Sequence, residues 1–256
     1  MTTPNATNRR GEGFIYLSIM ICFCVLYAPQ PMLSELADRF MVSKPEAVLL
    51  VSVTLIPLNL LKPDAQLIRQ AVTSRGNALI YVTVLCMFWV FAGYLNYLPF
   101  RINELDASAS TGLIGQSYSG YSIGIVSALT AGWLAKRVGG PIRAALVGFA
   151  AMIGSLLLAL GDVWMLITQV FVMCLRMFVI HTLAASEVNH NARSLGGVVN
   201  GLYVSCYYAG GALGAWLMGY VYELFGWTTF VVVLSCIGMT GALCMWLYGR
   251  QWAAGR

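Results

Sequence analysis

The sequence has 256 residues, of which 59% are hydrophobic and only 10% are charged, and its mean hydropathy is +0.75. Ordinary soluble domains carry about 25% charged residues, so this composition excludes a soluble globular protein and predicts a membrane protein. The formal net charge is +5, but basic residues near the ends of apolar segments report membrane orientation. The charge therefore gives little support for nucleic-acid binding.

Eight apolar segments approach the roughly 20 residues that a helix needs to cross a hydrocarbon core about 30 Å thick. They are hydrophobic around most of the helix circumference and lack the alternation of a membrane β-barrel. We therefore expect an all-α membrane protein with about eight transmembrane helices, the second of them short. In chain order, these segments are 14–31, 47–61, 78–98, 112–134, 143–160, 163–183, 196–220 and 228–248.

Lys and Arg are distributed unevenly around these segments. Basic residues near helix ends stay in the cytoplasm, and an N-terminus on that side places eleven of the fifteen there, with three outside and Arg176 inside a span. The outer residues are Arg39, Lys44 and Arg101. The cytoplasmic set is Arg9, Arg10, Lys62, Arg69, Arg75, Lys136, Arg137, Arg143, Arg193, Arg250 and Arg256. The sequence thus predicts a multi-pass protein with both termini in the cytoplasm.

Polar groups inside the spans are candidates for a substrate path, because charged and polar side chains are costly in a bilayer. Arg176 either contacts a substrate or gate, pairs structurally, or extends towards the cytoplasm. His181 is either a group that titrates near neutral pH or an interfacial histidine. For the uncharged candidates, the alternatives are hydrogen bonding between helices and membrane anchoring. These are Gln30, Asn59, Asn96, Gln116, Gln169, Asn200, Tyr118, Tyr121, Tyr207 and Tyr208.

Small residues recur at every fourth position in two of the segments, a pattern that lets helix backbones approach closely. The predicted packing residues are Gly120, Gly124 and Ala128 in one segment and Gly197, Gly201 and Ser205 in the other. No nucleotide-binding, metalloprotease or serine-hydrolase motif is present, and the seven cysteines form no C-x-x-C pair. We expect no enzymatic activity, no cofactor and no metal site.

One loop carries a family pattern. The residues from Gly132 to Gly140, GWLAKRVGG, resemble the sequence G-x-L-[AS]-D-R-x-G-x-[RK] that joins the second and third helices of each half of major facilitator superfamily transporters. Gly132, Leu134, Ala135, Arg137 and Gly139 match that pattern, whereas Lys136 stands where the family usually has Asp. Segments 27–33, 49–57, 95–101 and 207–211, and the pair Gly226-Trp227, are also similar to a bacterial efflux-type branch of this family.

The resemblance implies a partial bundle, because the family has twelve helices in two halves and this chain offers about eight. Residues 1–61 correspond to a remnant of the N-terminal half with two helices, 62–77 to a cytoplasmic linker, and 78–256 to the six-helix C-terminal half. Family helices three to six are absent. By this resemblance, the chain is a bacterial inner-membrane transporter that exports an unidentified small molecule, with reduced or no activity.

Two alternatives remain beside that expectation. The chain is either a non-transporting assembly or regulatory subunit that associates through its helices, or a homo-oligomer that rebuilds a cavity from two partial bundles. The lipid bilayer is a partner in every case.

Overall fold

The computed structural model describes residues 30–55, 65–73, 76–191 and 196–254, so most of the predicted first span and the end of the second lie outside the described residues. All helices in this part of the chain are numbered here in order. They are α1 (Leu33–Phe40), α2 (Lys44–Leu55), α3 (Ala65–Thr73), α4 (Asn77–Leu105), α5 (Thr111–Ser117), α6 (Tyr121–Val138), α7 (Pro141–Ser155), α8 (Val163–Asn191) and α9 (Gly196–Ala254). Short 3₁₀ turns occupy Gln30–Met32, Tyr118–Gly120 and Leu156–Leu160. The all-α prediction is confirmed for the described residues.

Four helices of the described chain are long and apolar enough to cross a membrane. They are Asn77–Leu105, Pro141–Leu160, Val163–Asn191 and Gly197–Ala253. Three of the predicted spans, 78–98, 143–160 and 163–183, fall within the first three of these helices. A multi-pass membrane protein is therefore consistent with these four helices. The number of eight spans stays a prediction, because much of the first two lies outside the described residues.

Helix α9 changes direction at Gly226, whose φ of 78° and ψ of 174° are not helical. This backbone conformation is essentially restricted to glycine. The first arm of α9, residues 196–225, runs parallel to α4, since Gly210 lies against the Leu85 backbone and Gly214 against Trp89 further along.

The second arm of α9, residues 227–254, runs in the opposite direction. Thr83 donates a hydrogen bond of 3.3 Å to the Gly241 carbonyl, and a Cβ placed on Gly93 would lie 3.1 Å from Leu234. Residues later in α4 therefore contact residues earlier in this arm, which is the pattern of antiparallel helices. The last two predicted spans lie on separate antiparallel arms that both pack against α4.

The predicted span 112–134 differs from the structure, because it is divided between α5 and α6 by the 3₁₀ turn Tyr118–Gly120. The Tyr118 hydroxyl donates a 2.6 Å hydrogen bond to the Leu95 carbonyl of α4. Gly120 meets α8 at Val170, which would lie 3.1 Å from a Cβ placed on the glycine. Anchoring to two different helices at this turn accounts for the interruption.

The carboxylate of Glu104, near the C-terminal end of α4, contacts two neighbouring helices. Lys44 of α2 forms a 2.6 Å ion pair with it, and Arg101 forms a second at 3.3 Å. Tyr222 of α9 donates a 2.5 Å hydrogen bond to the same group. Helix α2 is thus held to α4 and α9 where two of the three cations that the sequence places outside, Lys44 and Arg101, lie.

Candidate functional site

A buried polar contact joins the N-terminal part of the chain to the bundle. The Gln30 amide donates a 2.8 Å hydrogen bond to the Asn96 side-chain oxygen, and both residues are fully buried. Tyr121, at the start of α6, donates a 2.8 Å hydrogen bond to the Gln30 oxygen. The sequence singled out Gln30 and Asn96 separately, and the structure brings them together.

Aromatic rings continue inward from this contact. Phe91 lies edge-on to Tyr121 with ring centroids 5.8 Å apart, and Phe88 stacks on Phe91 at 5.7 Å. Phe88 also stacks closely on Tyr207 of α9, at a centroid distance of 3.7 Å. Tyr208 packs against Tyr207 at 5.1 Å. Two predicted path residues, Tyr207 and Tyr208, therefore belong to one ring cluster.

The same cluster ends at His181 on α8. The imidazole lies 5.0 Å from the Tyr207 ring. Its Nδ1 is 3.0 Å from the Tyr203 hydroxyl, which also donates a 3.1 Å hydrogen bond to the His181 carbonyl. These two contacts fix the orientation of the imidazole within the bundle.

We name this series of contacts the polar–aromatic file. Its members are Gln30, Asn96, Tyr121, Phe91, Phe88, Tyr207, His181 and Tyr203. At 1.5 Å per residue, the step from Asn96 to Phe88 along α4 covers about 12 Å, and the step from Tyr207 to Tyr203 about 6 Å. The file therefore extends through more than half of a hydrocarbon core about 30 Å thick.

Two buried amides near the Gln30 end of the file lack hydrogen-bond partners among the described residues. They are the Asn96 nitrogen and both polar groups of Gln169 on α8, which is fully buried. Gln169 lies within one turn of Leu166, whose carbonyl accepts a 3.0 Å hydrogen bond from Tyr94. A buried polar group without a partner carries a desolvation cost, so both amides need an explanation.

Two of the predicted path residues lie elsewhere. Gln116 is exposed on α5. Arg176 is half-buried, and its carbonyl approaches α7 at Gly148. On an α-helix, residues two positions apart point about 200° away from each other, so Arg176 lies opposite Phe178, which packs near Phe91. The Arg176 Nε is buried and has no hydrogen-bond partner within the part of the chain that the structure describes.

The predicted packing residues divide into two groups. Gly120 and Gly124 lie against α8, where a Cβ on Gly124 would collide with the Phe178 ring. Ala128, Gly197 and Gly201 are exposed, and Ser205 is half-buried. No described atom lies within 4 Å of a Cβ placed on Gly197 or Gly201.

The loop with the family pattern ends α6 and begins α7. Gly139 has a φ of 87° and Gly140 a φ of 129°, and the Gly140 N–H donates a 2.8 Å hydrogen bond to the Ala135 carbonyl. A left-handed glycine after the last helical residue is a common helix ending. Leu134 is half-buried and Ala135 buried, whereas Gly132, Lys136 and Arg137 are exposed. Arg137 stacks over the Trp133 ring at 4.9 Å.

Sequence reasoning missed three members of the file. Phe88, Phe91 and Tyr203 lie in apolar segments where an aromatic residue is ordinarily a packing residue. The signal available was their spacing, because Phe88 and Phe91 are three apart and Tyr203 and Tyr207 four apart, which places each pair on one helix face.

Comparison with known proteins adds no family assignment, since no protein-family model and no curated protein matches this chain. Within the residues that the structure describes, no group of three or more His, Cys, Asp or Glu side chains is arranged to hold a metal ion.

Proposed function

We propose that this chain is a secondary transporter of small molecules, of the efflux type, built as a partial major-facilitator bundle and working with reduced activity. The observation that carries this proposal is the polar–aromatic file. It joins the N-terminal segment, through Gln30, to helices α4, α6, α8 and α9. Transporter sites lie where structural repeats meet, at polar groups within the bilayer.

The chemistry of the file suits uncharged or aromatic substrates. Within the file, each side chain is neutral or is an imidazole, and the rings present faces on which a planar molecule can stack. The Asn96 nitrogen and the two polar groups of Gln169, which have no partner among the described residues, supply a donor pair and an acceptor. A substrate that hydrogen-bonded to them would recover the desolvation cost that these amides carry.

The test is an efflux assay in cells that lack other pumps, with a panel of dyes and drugs and with equal amounts of each variant in the membrane. Asn96→Ala and Tyr207→Ala should each lower the initial efflux rate by about tenfold, equivalent to about 1.4 kcal/mol. Gln116→Ala is the matched control, because Gln116 is a polar residue of the same bundle that is exposed and outside the file. It should leave the rate unchanged.

The proposal fails if the correctly inserted chain exports nothing from the panel, or if Gln116→Ala and Asn96→Ala lower the rate equally. A small-molecule path through the file requires the two variants to differ.

The second candidate function is that of a non-transporting assembly subunit, and the open small-residue face at Gly197 and Gly201 favours it. Close approach of helices needs small residues, yet this face meets no described atom. Two differently tagged copies should then co-purify, and Gly201→Leu should abolish that association. Co-purification that is indifferent to Gly201→Leu would contradict this function.

A further inference from the structure

A cleft of about 700 Å³ opens where the start of α7 meets the end of α8 and the end of the second arm of α9. It lies apart from the polar–aromatic file. Gly249 lets Ile142 pack closely at one wall. The polar and aromatic side chains that line the cleft are Arg143, Glu187, His190, Trp246, Arg250 and Trp252.

The cleft lies at the level where several predicted spans end, at the expected surface of the membrane. Three predicted spans have their boundaries here, since one begins at residue 143 and two end at 183 and 248. Tryptophans concentrate at the interface between lipid and water, and the lining includes Trp246 and Trp252. The distribution of Lys and Arg predicts that this end faces the cytoplasm. The occupant of the cleft therefore meets the headgroup layer rather than the hydrocarbon core.

The cations of this cleft differ from those at the outer end. Lys44 and Arg101 are neutralised by Glu104. Arg143 and Arg250 are exposed, and neither forms an ion pair or a hydrogen bond within the described chain. Arg250 stacks over the Trp246 ring at 4.9 Å, which orients its guanidinium while leaving the N–H edge free for an oxygen ligand.

A single carboxylate, that of Glu187, opposes these two arginines. It accepts a 3.1 Å hydrogen bond from Tyr248, whose hydroxyl in turn accepts a 2.8 Å hydrogen bond from Asn191. Glu187 is therefore already engaged on the bundle side of the cleft. The lining has an excess of positive charge, to which exposed Lys136 and Arg137 on the preceding turn add.

We propose that this cleft binds the phosphate of an anionic membrane phospholipid, with Arg143 and Arg250 donating to the phosphate oxygens and the two tryptophans lying along the glycerol region. Arginine matches phosphate geometry through paired N–H donors. Basic pockets between helices at the cytoplasmic face attract acidic headgroups. The membrane boundary and the tryptophans favour a lipid over a free anion.

The experiment uses the full chain in detergent micelles at 0.15 M salt, and measures lipid retention by native mass spectrometry together with the thermal unfolding midpoint. Phosphatidylglycerol should raise the midpoint, and phosphatidylcholine should not. Arg143→Gln combined with Arg250→Gln should weaken phosphatidylglycerol binding about 100-fold, because two charge-assisted contacts are lost. Lys136→Gln combined with Arg137→Gln is the control, since it removes the same charge at the same end outside the cleft, and should weaken binding less than about tenfold.

Three results would overturn the proposal: equal losses in the two double variants, equal stabilisation by phosphatidylcholine, or displacement of the lipid by millimolar inorganic phosphate that stabilises the chain equally. The first would indicate diffuse attraction, the second a neutral lipid surface, and the third a free-anion site.

Glu187→Gln provides a readout that a folding defect would not mimic. Removing the opposing carboxylate should tighten phosphatidylglycerol binding about threefold or more, because a like charge near the phosphate is lost. Weaker binding in this variant would place the phosphate elsewhere. Arg143→Lys combined with Arg250→Lys tests whether the chain folds with the charge retained, and should keep binding that is intermediate between the wild type and the double glutamine variant.

Discussion

Helices α4 and α6 are both derived from strongly apolar segments, yet they lie in different surroundings. In α4, 72% of the most apolar stretch is buried inside the protein, and Leu98 has no exposed surface. In α6, Leu129 is 80% exposed and Trp133 58% exposed. Lipid tails are as apolar as leucine, so hydropathy predicts membrane residence without predicting which helix is central. Close backbone approach and hydrogen bonds make that distinction.

The largest effect should come from filling the contact between α4 and the first arm of α9. Gly214→Leu would drive its side chain into the Trp89 backbone, where even a Cβ would lie 3.0 Å from the Gly93 nitrogen. We expect a loss of about 3 kcal/mol or more of unfolding free energy, or failure to accumulate. Reversible unfolding in detergent measures it.

Gly132→Leu on α6 is the matched control for that substitution, because nothing described lies within 4 Å of its Cβ position. A leucine there should be neutral or stabilising by less than about 1 kcal/mol, since leucine favours helix. Similar losses at Gly214 and Gly132 would contradict the central placement of α4.

Truncating one leucine on each helix should produce a smaller difference in unfolding free energy between α4 and α6. Leu98→Ala removes a fully buried side chain and should cost about 2 kcal/mol through lost packing. Leu129→Ala removes a side chain that is 80% exposed and should change stability by less than about 0.5 kcal/mol. Chemical denaturation of both variants under one condition gives the difference. Equal costs would contradict the exposure of this face of α6.

The reversal of direction in α9, which lets both of its arms pack against α4, should depend on Gly226. Gly226→Ala forces an L side chain into a φ of 78°, and we expect a cost of about 1 to 3 kcal/mol. Gly201→Ala, at an exposed helical position, should instead be neutral or slightly stabilising. Thermal unfolding of the two alanine variants decides the point, and an unchanged midpoint for Gly226→Ala would place the reversal elsewhere.

The smallest effect should come from the hydrogen bond between Tyr118, which lies just before α6, and helix α4. Tyr118→Phe removes the donor to the Leu95 carbonyl. Hydrogen bonds between membrane helices contribute about 0.6 kcal/mol on average, so a loss of that size is expected. Ser119→Ala changes the neighbouring exposed hydroxyl and should have no effect. Chemical denaturation of the two single variants measures both losses of unfolding free energy. A larger loss at Ser119 would refute this role of Tyr118.

The sequence predicted the long apolar helices well because composition and length alone determine them. The segments 78–98 and 163–183 both lie inside described helices. It did not predict the break at Tyr118–Gly120, because this break depends on contacts with Leu95 and Val170, which are distant along the chain. The hydropathy of a segment does not indicate which distant residues it will contact.

Small-residue spacing was also ambiguous. Residues at 197 and 201 and at 210 and 214 repeat with the same four-residue period, but only the second pair meets α4. The glutamines show the same limit, since Gln116 is exposed whereas Gln169 is fully buried. For the candidate site, the sequence identified the residues Gln30, Asn96, Tyr207 and His181, and their assembly into one series of contacts required the fold.

Helical residues flank Gly226 on both sides, so the two arms of α9 are joined without an intervening polar loop. During biosynthesis, almost no hydrophilic chain has to be translocated between them, and Glu223 is the one charged residue in the connection 221–227. We therefore expect the arms to enter the bilayer together as a helical hairpin. Helix α4 is synthesised earlier, so we expect it to insert first and to pack against both arms of α9 in a single later step.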